Sequence, residues 1–196
     1  MRFCGEDYDV MKLMRAADEG DTDAMRMFVT LCYANLERDI YENTKEKCFE
    51  YIKKMAADGD GIAYIWMADV FVKGELVQKN INKAIEFYHK AADEGVGFGY
   101  ECIAKLYYEG KDIPADYEKA YRFIMKSRKK SGMSYYLLGE MYRQGLYVRK
   151  NISRSRQYYR RALGDGKHPE YPDMYAEFAQ KRLDGYVGEL KEDYED

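Results

Sequence analysis

The chain has 196 residues, 46% of them hydrophobic, which is enough for one or two compact domains or one short repeat array. Its 32 Lys/Arg against 35 Asp/Glu leave a net charge of −3, so whole-chain charge gives no reason to expect nucleic-acid binding. Three prolines and 34% charged residues exclude a collagen-like or disordered chain and point to a helix-rich soluble protein.

Residues 1–7 are polar and acidic, with no apolar core segment and no small-residue cleavage site, so no secretory signal is expected. Nowhere do about 18 apolar residues run together, and no membrane insertion is expected. Cys4, Cys32, Cys48 and Cys102 lack regular spacing and read as reduced thiols of a cytoplasmic protein.

The chain repeats itself. Residues 7–20 end in Ala16-Ala17-Asp18-Glu19-Gly20 and read as the second half of a repeat. Residues 21–60 form a degenerate copy, opened by Ala24, Phe28-Val29 and Cys32 and closed by Ala56-Ala57-Asp58-Gly59. The fullest copy, 61–96, carries Ala63, Met67-Ala68, Phe71, Gly74, Val77, Asn80, Lys83-Ala84, Tyr88, Ala91-Ala92 and Gly95. A shift of 36 gives Gly99, Ile103-Ala104, Tyr107, Gly110, Ile113, Asp116, Lys119-Ala120, Ile124 and Ser127 in 97–132. A further 35 gives Ser134, Leu138-Gly139, Tyr142, Gly145, Val148, Asn151, Arg154-Ser155, Tyr159 and Ala162 in 133–166. Phe178-Ala179 followed by Gly185 marks a closing half-repeat over 170–185, and 186–196 is an acidic tail. The whole, 1–196, reads as a single repeat domain.

Each copy predicts two helices. The first half places its small and apolar residues at i, i+4, i+5 and i+8, one helical face. Gly74, Gly110 and Gly145 follow the last apolar position, where a left-handed C-cap is expected. Asn80, Asp116 and Asn151 precede the next helical run as N-caps. The second helix buries Ala84/Ala120/Ser155, Tyr88/Ile124/Tyr159 and Ala91/Ser127/Ala162. Neither pair covers its apolar face alone, so stacked neighbours must complete the core.

This pattern resembles the Sel1-like repeat family, relatives of the tetratricopeptide repeat with a longer loop between the helices. The shared motif is small-x-x-x-Leu-Gly-x-x-Tyr-x-x-Gly, a hydrophobic, Asp, then Lys-Ala-x-x-x-Tyr-x-x-Ala-Ala-x-x-Gly. The resemblance implies an all-α fold, a right-handed α-solenoid of stacked antiparallel helix pairs, working as a non-catalytic adaptor or scaffold for a protein or peptide ligand. It implies no catalytic residue, metal or cofactor. Two departures stand out. Residues 37–44 replace the usual Gly-and-Asp loop, and the disulfide that some secreted, cysteine-rich members repeat in every unit is missing.

By the related tetratricopeptide geometry, a concave groove would be lined by Arg26, Thr30 and Tyr33; Ile65, Asp69 and Val72; Glu101, Lys105 and Tyr108; and Tyr136, Glu140 and Arg143. Each set falls at i, i+4, i+7 and mixes aromatic, aliphatic and charged groups, as a protein-binding groove does. A second column, Tyr64, Tyr100, Tyr135 and Tyr175, reads as packing at the helix seam with hydroxyls reaching solvent.

Charge is uneven: residues 111–161 hold 14 Lys/Arg and 4 Asp/Glu. The basic residues crowd second helices, with Arg122, Lys126, Arg128, Lys129 and Lys130, then Arg154, Arg156, Arg160 and Arg161. The bland reading is a solvated face. The alternatives over residues 119–161 are polyanion or nucleic-acid binding, or self-association with the acidic end of another copy. Nucleic acid is the weakest, because no aromatic-interleaved recognition motif accompanies the charge. The expected state is a monomer or a weak self-associate. His89 and His168 have no metal-type partner at i+3 or i+4. The glycines at 95, 97 and 99 lie between helices rather than after a strand, so they mark an inter-repeat turn, not a phosphate loop.

Overall fold

The computed structural model describes residues 2–3, 6–7, 10–34, 44–127, 129–164 and 174–192. Residues 37–43 of the 37–44 stretch, Arg128 and His168 lie outside them. The chain divides into two compact units, 1–99 and 100–196.

The first unit opens with a two-residue antiparallel pair, β1 (Arg2–Phe3) and β2 (Glu6–Asp7), which the repeat pattern does not foresee. Helices α1 (Val10–Asp18), α2 (Thr22–Ala34), α3 (Thr44–Ala57), α4 (Gly61–Lys73) and α5 (Ile81–Asp93) follow, each packed on the next. Helix α6 (Phe98–Glu109) begins at the unit boundary. In the second unit come α7 (Tyr117–Lys126), α8 (Gly132–Gln144), α9 (Ile152–Ala162) and α10 (Met174–Glu192), with α8, α9 and α10 in mutual contact. The fold is an all-α helical repeat apart from the short β pair. None of the described helices is long and apolar enough to cross a membrane.

The loop inside each full repeat is built by the residues that punctuate the motif. Gly74, Gly110 and Gly145 adopt φ of +72°, +64° and +77°, a region that a β-carbon disfavours. At Gly74 and Gly110 a β-carbon would also sit 2.7 Å from the Cβ of Lys79 or Ala115. Six residues on, Asn80, Asp116 and Asn151 cap the second helix by accepting the backbone N–H of Lys83, Lys119 and Arg154 at 2.8–3.0 Å. The backbone N–H of each cap residue donates in turn to the carbonyl of Phe71, Tyr107 or Tyr142, closing the loop on the first helix.

The core is divided between the units. In the first, Phe28 meets Tyr51 edge-on at 5.4 Å among Val29, Ile52 and Met55. In the second, Ala104, Ile124, Leu137, Leu138 and Met141 form one cluster, and Tyr159, Ala162 and Ala179 another. Every full repeat adds an aromatic triad. Phe87, Phe123 and Tyr158 on the second helices each contact two first-helix rings: Tyr64 and Phe71, Tyr100 and Tyr107, Tyr135 and Tyr142. Lys90, Lys126 and Arg161 lie over one side of these triads, and Lys83, Lys119 and Arg154 over the other, 5.0–6.0 Å from ring centroids. Each ring pair contributes about 0.5–1.5 kcal/mol beyond its buried area. Three of the four tyrosines in the seam column are therefore packing residues.

Candidate protein-binding face

Helices α6, α8 and α10 bring five of the expected groove residues together: Lys105 and Tyr108 from α6, and Tyr136, Glu140 and Arg143 from α8. Helix α10 adds Tyr175, Phe178 and Arg182, which sequence reasoning did not assign to the groove. The Tyr136 ring is the hub, with centroids 5.7 Å from Tyr175, 5.9 Å from Phe178 and 5.9 Å from Tyr159. Tyr175 and Phe178 meet edge-on at 6.2 Å, and the Lys105 ammonium lies 6.0 Å from the Tyr175 ring. Phe178 is 39% exposed, so this aromatic set is only partly covered. Its signal was its place in the motif: Phe178 stands where Met67, Ile103 and Leu138 are buried, but no second helix follows it among the described residues.

Glu140 supports this face from beneath at 3% exposure. It accepts hydrogen bonds from Arg143 Nη2 at 2.6 Å, Arg182 Nε at 2.7 Å, Tyr159 Oη at 2.7 Å and Gln144 Nε2 at 2.8 Å. Burial alone would raise its pKa. The donors, Arg143 and Tyr159 foremost, outweigh that and pull it down to about 2. Burial and the same carboxylate push the Tyr108 hydroxyl well above its ordinary value. Two guanidiniums on one carboxylate leave the rim positive, and Lys105 adds a charge that a 3.9 Å approach to Glu109 offsets in part.

Glu101, placed in the groove by periodicity, is 1% exposed. Its carboxylate is cradled by serines: Ser127 and Ser134 hydroxyls donate at 2.8 Å, Ser131 N–H at 3.1 Å, and the Ser131 hydroxyl also donates. That satisfies a buried charge with hydrogen bonds instead of a cation and pins the α7–α8 turn to α6. A ligand could reach Glu101 only by displacing those serines.

In the first unit the expected residues have internal partners. Arg26 pairs with Asp60, the N-cap of α4, and with Asp23. Thr30 Oγ1 donates to the Arg26 carbonyl, Tyr33 packs on Trp66 beneath the Lys73 ammonium, and Asp69 accepts the Tyr88 hydroxyl at 2.6 Å. Ile65 is buried and Val72 half-buried. On the basic stretch, Arg122 pairs with Glu118, Lys126 and Arg161 cover rings, Lys129 and Arg160 are exposed, and Arg156 is half-buried.

The described residues hold no group of three or more metal-ligating side chains. Cys32, Cys48 and Cys102 form no disulfide among the described residues. Cys32 on α2 and Cys48 on α3 hydrogen-bond to each other, which lowers the Cys32 pKa and raises that of Cys48.

The comparisons with known proteins agree with this architecture. The profile of the Sel1 repeat family matches residues 26–60, 61–96, 103–124 and 132–166. A search of curated proteins finds no match. Among solved structures, a Sel1 repeat protein from Oxalobacter formigenes aligns with a TM-score of 0.53 at 22% identity, covering 68% of this chain and 95% of that one. A Sel1 repeat protein from Klebsiella pneumoniae gives 0.55 at 20% identity, covering 88% and 82%. A protective antigen of uropathogenic Escherichia coli strains that displays an SLR fold gives 0.65 at 18% identity, covering 84% of this chain and 35% of the antigen. With the family profile matching well over half of its residues, this chain belongs to the Sel1 repeat family.

Proposed function

We propose that this chain is a non-catalytic interaction module whose α6/α8/α10 face takes an extended segment of a partner protein. Sel1 repeat proteins generally mediate protein–protein interactions, and the motif positions of the family are structural. The observation that carries the reading is the partly open cluster of Tyr136, Tyr175 and Phe178, bordered by the Arg143–Glu140–Arg182 network. Clustered aromatics beside arginine are the composition of interface hot spots. The Glu140 network fixes the rings before a ligand arrives, which limits the ordering cost of binding.

The test replaces Phe178 and Tyr108 with Ser, leaving every hydrogen bond to Glu140 in place. Both variants should fold, and both should lose partner affinity by about tenfold or more, the scale of a hot-spot side chain. Affinity equal to that of the unmodified chain would reject this face.

A further inference from the structure

A second feature lies away from the aromatic face, where the loop of the last full repeat meets α9. Tyr142, Val148, Arg149, Lys150, Asn151 and Arg154 line an open depression of about 570 Å³. Three of the six are cations and none is a carboxylate. No ion pair engages Arg149, Lys150 or Arg154 among the described residues. The equivalent loop of the preceding repeat is different: Pro114 and Ala115 stand in place of Arg149 and Lys150, and Lys119 is held by Asp116 at 3.2 Å.

The depression is also ordered around those charges. Arg154 lies over the Tyr142 ring at 5.6 Å and its Nη1 donates to the Tyr142 hydroxyl at 3.4 Å, which orients the guanidinium. The Tyr142 ring is itself stacked on Tyr158 at 5.4 Å. The Asn151 N–H ties the loop back to the Tyr142 carbonyl at 2.8 Å. Between these anchors Tyr147 is held at φ +61°, a left-handed conformation that costs a non-glycine residue roughly 1–2 kcal/mol, so the loop keeps its shape against local preference.

We infer that this depression binds a phosphate monoester. A dianion matches a cluster of three cations better than a carboxylate does, and an arginine fork can hold two of its oxygens. The Tyr142 hydroxyl and the Asn151 amide supply neutral donors. The volume is large for a bare phosphate ion and leaves room for the group that carries it. That carrier is either a phosphorylated side chain of a protein or a small phosphorylated molecule, and the chemistry recognised is the same.

The experiment titrates the full chain with inorganic phosphate, a short phosphoserine peptide and the same peptide unphosphorylated, following the backbone amides of residues 149–154 by NMR. Saturable shifts with phosphate and phosphopeptide, and none with the unphosphorylated peptide, are expected. Arg154→Gln should weaken binding about tenfold, as loss of a charge-assisted pair does, and Arg154→Lys should recover only part of it. Arg149→Gln, which touches no ring, should weaken it several-fold without altering thermal stability. A phosphopeptide tighter than phosphate assigns the carrier to a protein; equal affinities assign it to a small molecule. Absence of saturable binding at millimolar phosphate and phosphopeptide overturns the site. So does an equal loss from Arg160→Gln, an exposed residue of α9 outside the depression, because binding would then follow diffuse charge.

Discussion

The two buried glutamates solve the same problem in different ways. Glu101 relies on serine hydroxyls and a backbone N–H, whereas Glu140 is paired with two guanidiniums and a phenol. Glu140 therefore couples stability to pH. Its folded pKa of about 2 lies below that of an unfolded glutamate, ~4.3, so the unfolded chain takes up the proton first as pH falls. The stabilisation is fully present above about pH 5 and is lost progressively down to about pH 2, amounting to about 3 kcal/mol. Urea unfolding of Glu140→Gln at neutral pH should show a loss of about 3 kcal/mol, because the half-buried Arg143 and the more exposed Arg182 lose their shared buried counter-charge and the buried Tyr159 hydroxyl loses a charged acceptor. The same variant should also lose a large part of the acid sensitivity between pH 5 and 3. If the variant declined with pH as steeply as the parent chain, Glu140 would not be the acid-sensitive group.

At the scale of helices, the two alanine substitutions that discriminate best are both at glycine. A β-carbon on Gly139 of α8 would lie 2.5 Å from Tyr159 Cε1 and 2.6 Å from its Cδ1. The Tyr159 ring is fully buried and tied through its hydroxyl to Glu140, so it cannot swing aside. Gly139→Ala should therefore cost about 1–3 kcal/mol. Gly185 of α10 has nothing within 4 Å of the added carbon, and Gly185→Ala should stabilise by about 0.5–1 kcal/mol through helix propensity alone. Thermal melts that shift the same way for both would contradict this packing. The punctuation of these helices was legible in the sequence, since a left-handed C-cap and an Asx N-cap each demand particular residue types at a fixed spacing. What a groove position faces was not. Periodicity put Ile65, Glu101 and Tyr136 in one column, yet Glu101 turns inward because its donors sit 26 to 33 residues later on another helix and turn. Phe178, legible as a motif residue, and Arg182 are not legible as groove residues for the opposite reason: they hold core positions of the motif in a helix that no second helix follows among the described residues.

For the whole molecule, the net charge of −3 conceals a stretch, 111–161, with an excess of ten positive charges. That stretch and the α6/α8/α10 face should respond differently to salt. Exposed charges separated by more than about 8 Å are screened at physiological ionic strength, so ligands held by Arg149, Lys150, Arg160 and their neighbours should be shed as salt rises. On the α6/α8/α10 face Arg143 and Arg182 are held on Glu140 at a positive rim, and the open surface between them is aromatic. Burial of rings is not screened, so a segment bound there should survive a high-salt wash and be lost with Phe178→Ser. Affinity capture from native extract, washed at low and then high salt with the parent chain and with Phe178→Ser, separates the two. A partner that remains at high salt on the parent chain and is absent from the variant belongs to the aromatic face. If every partner instead leaves with salt and ignores the Phe178 substitution, the basic stretch is the operative surface and the α6/α8/α10 face is only a packing feature of the repeat.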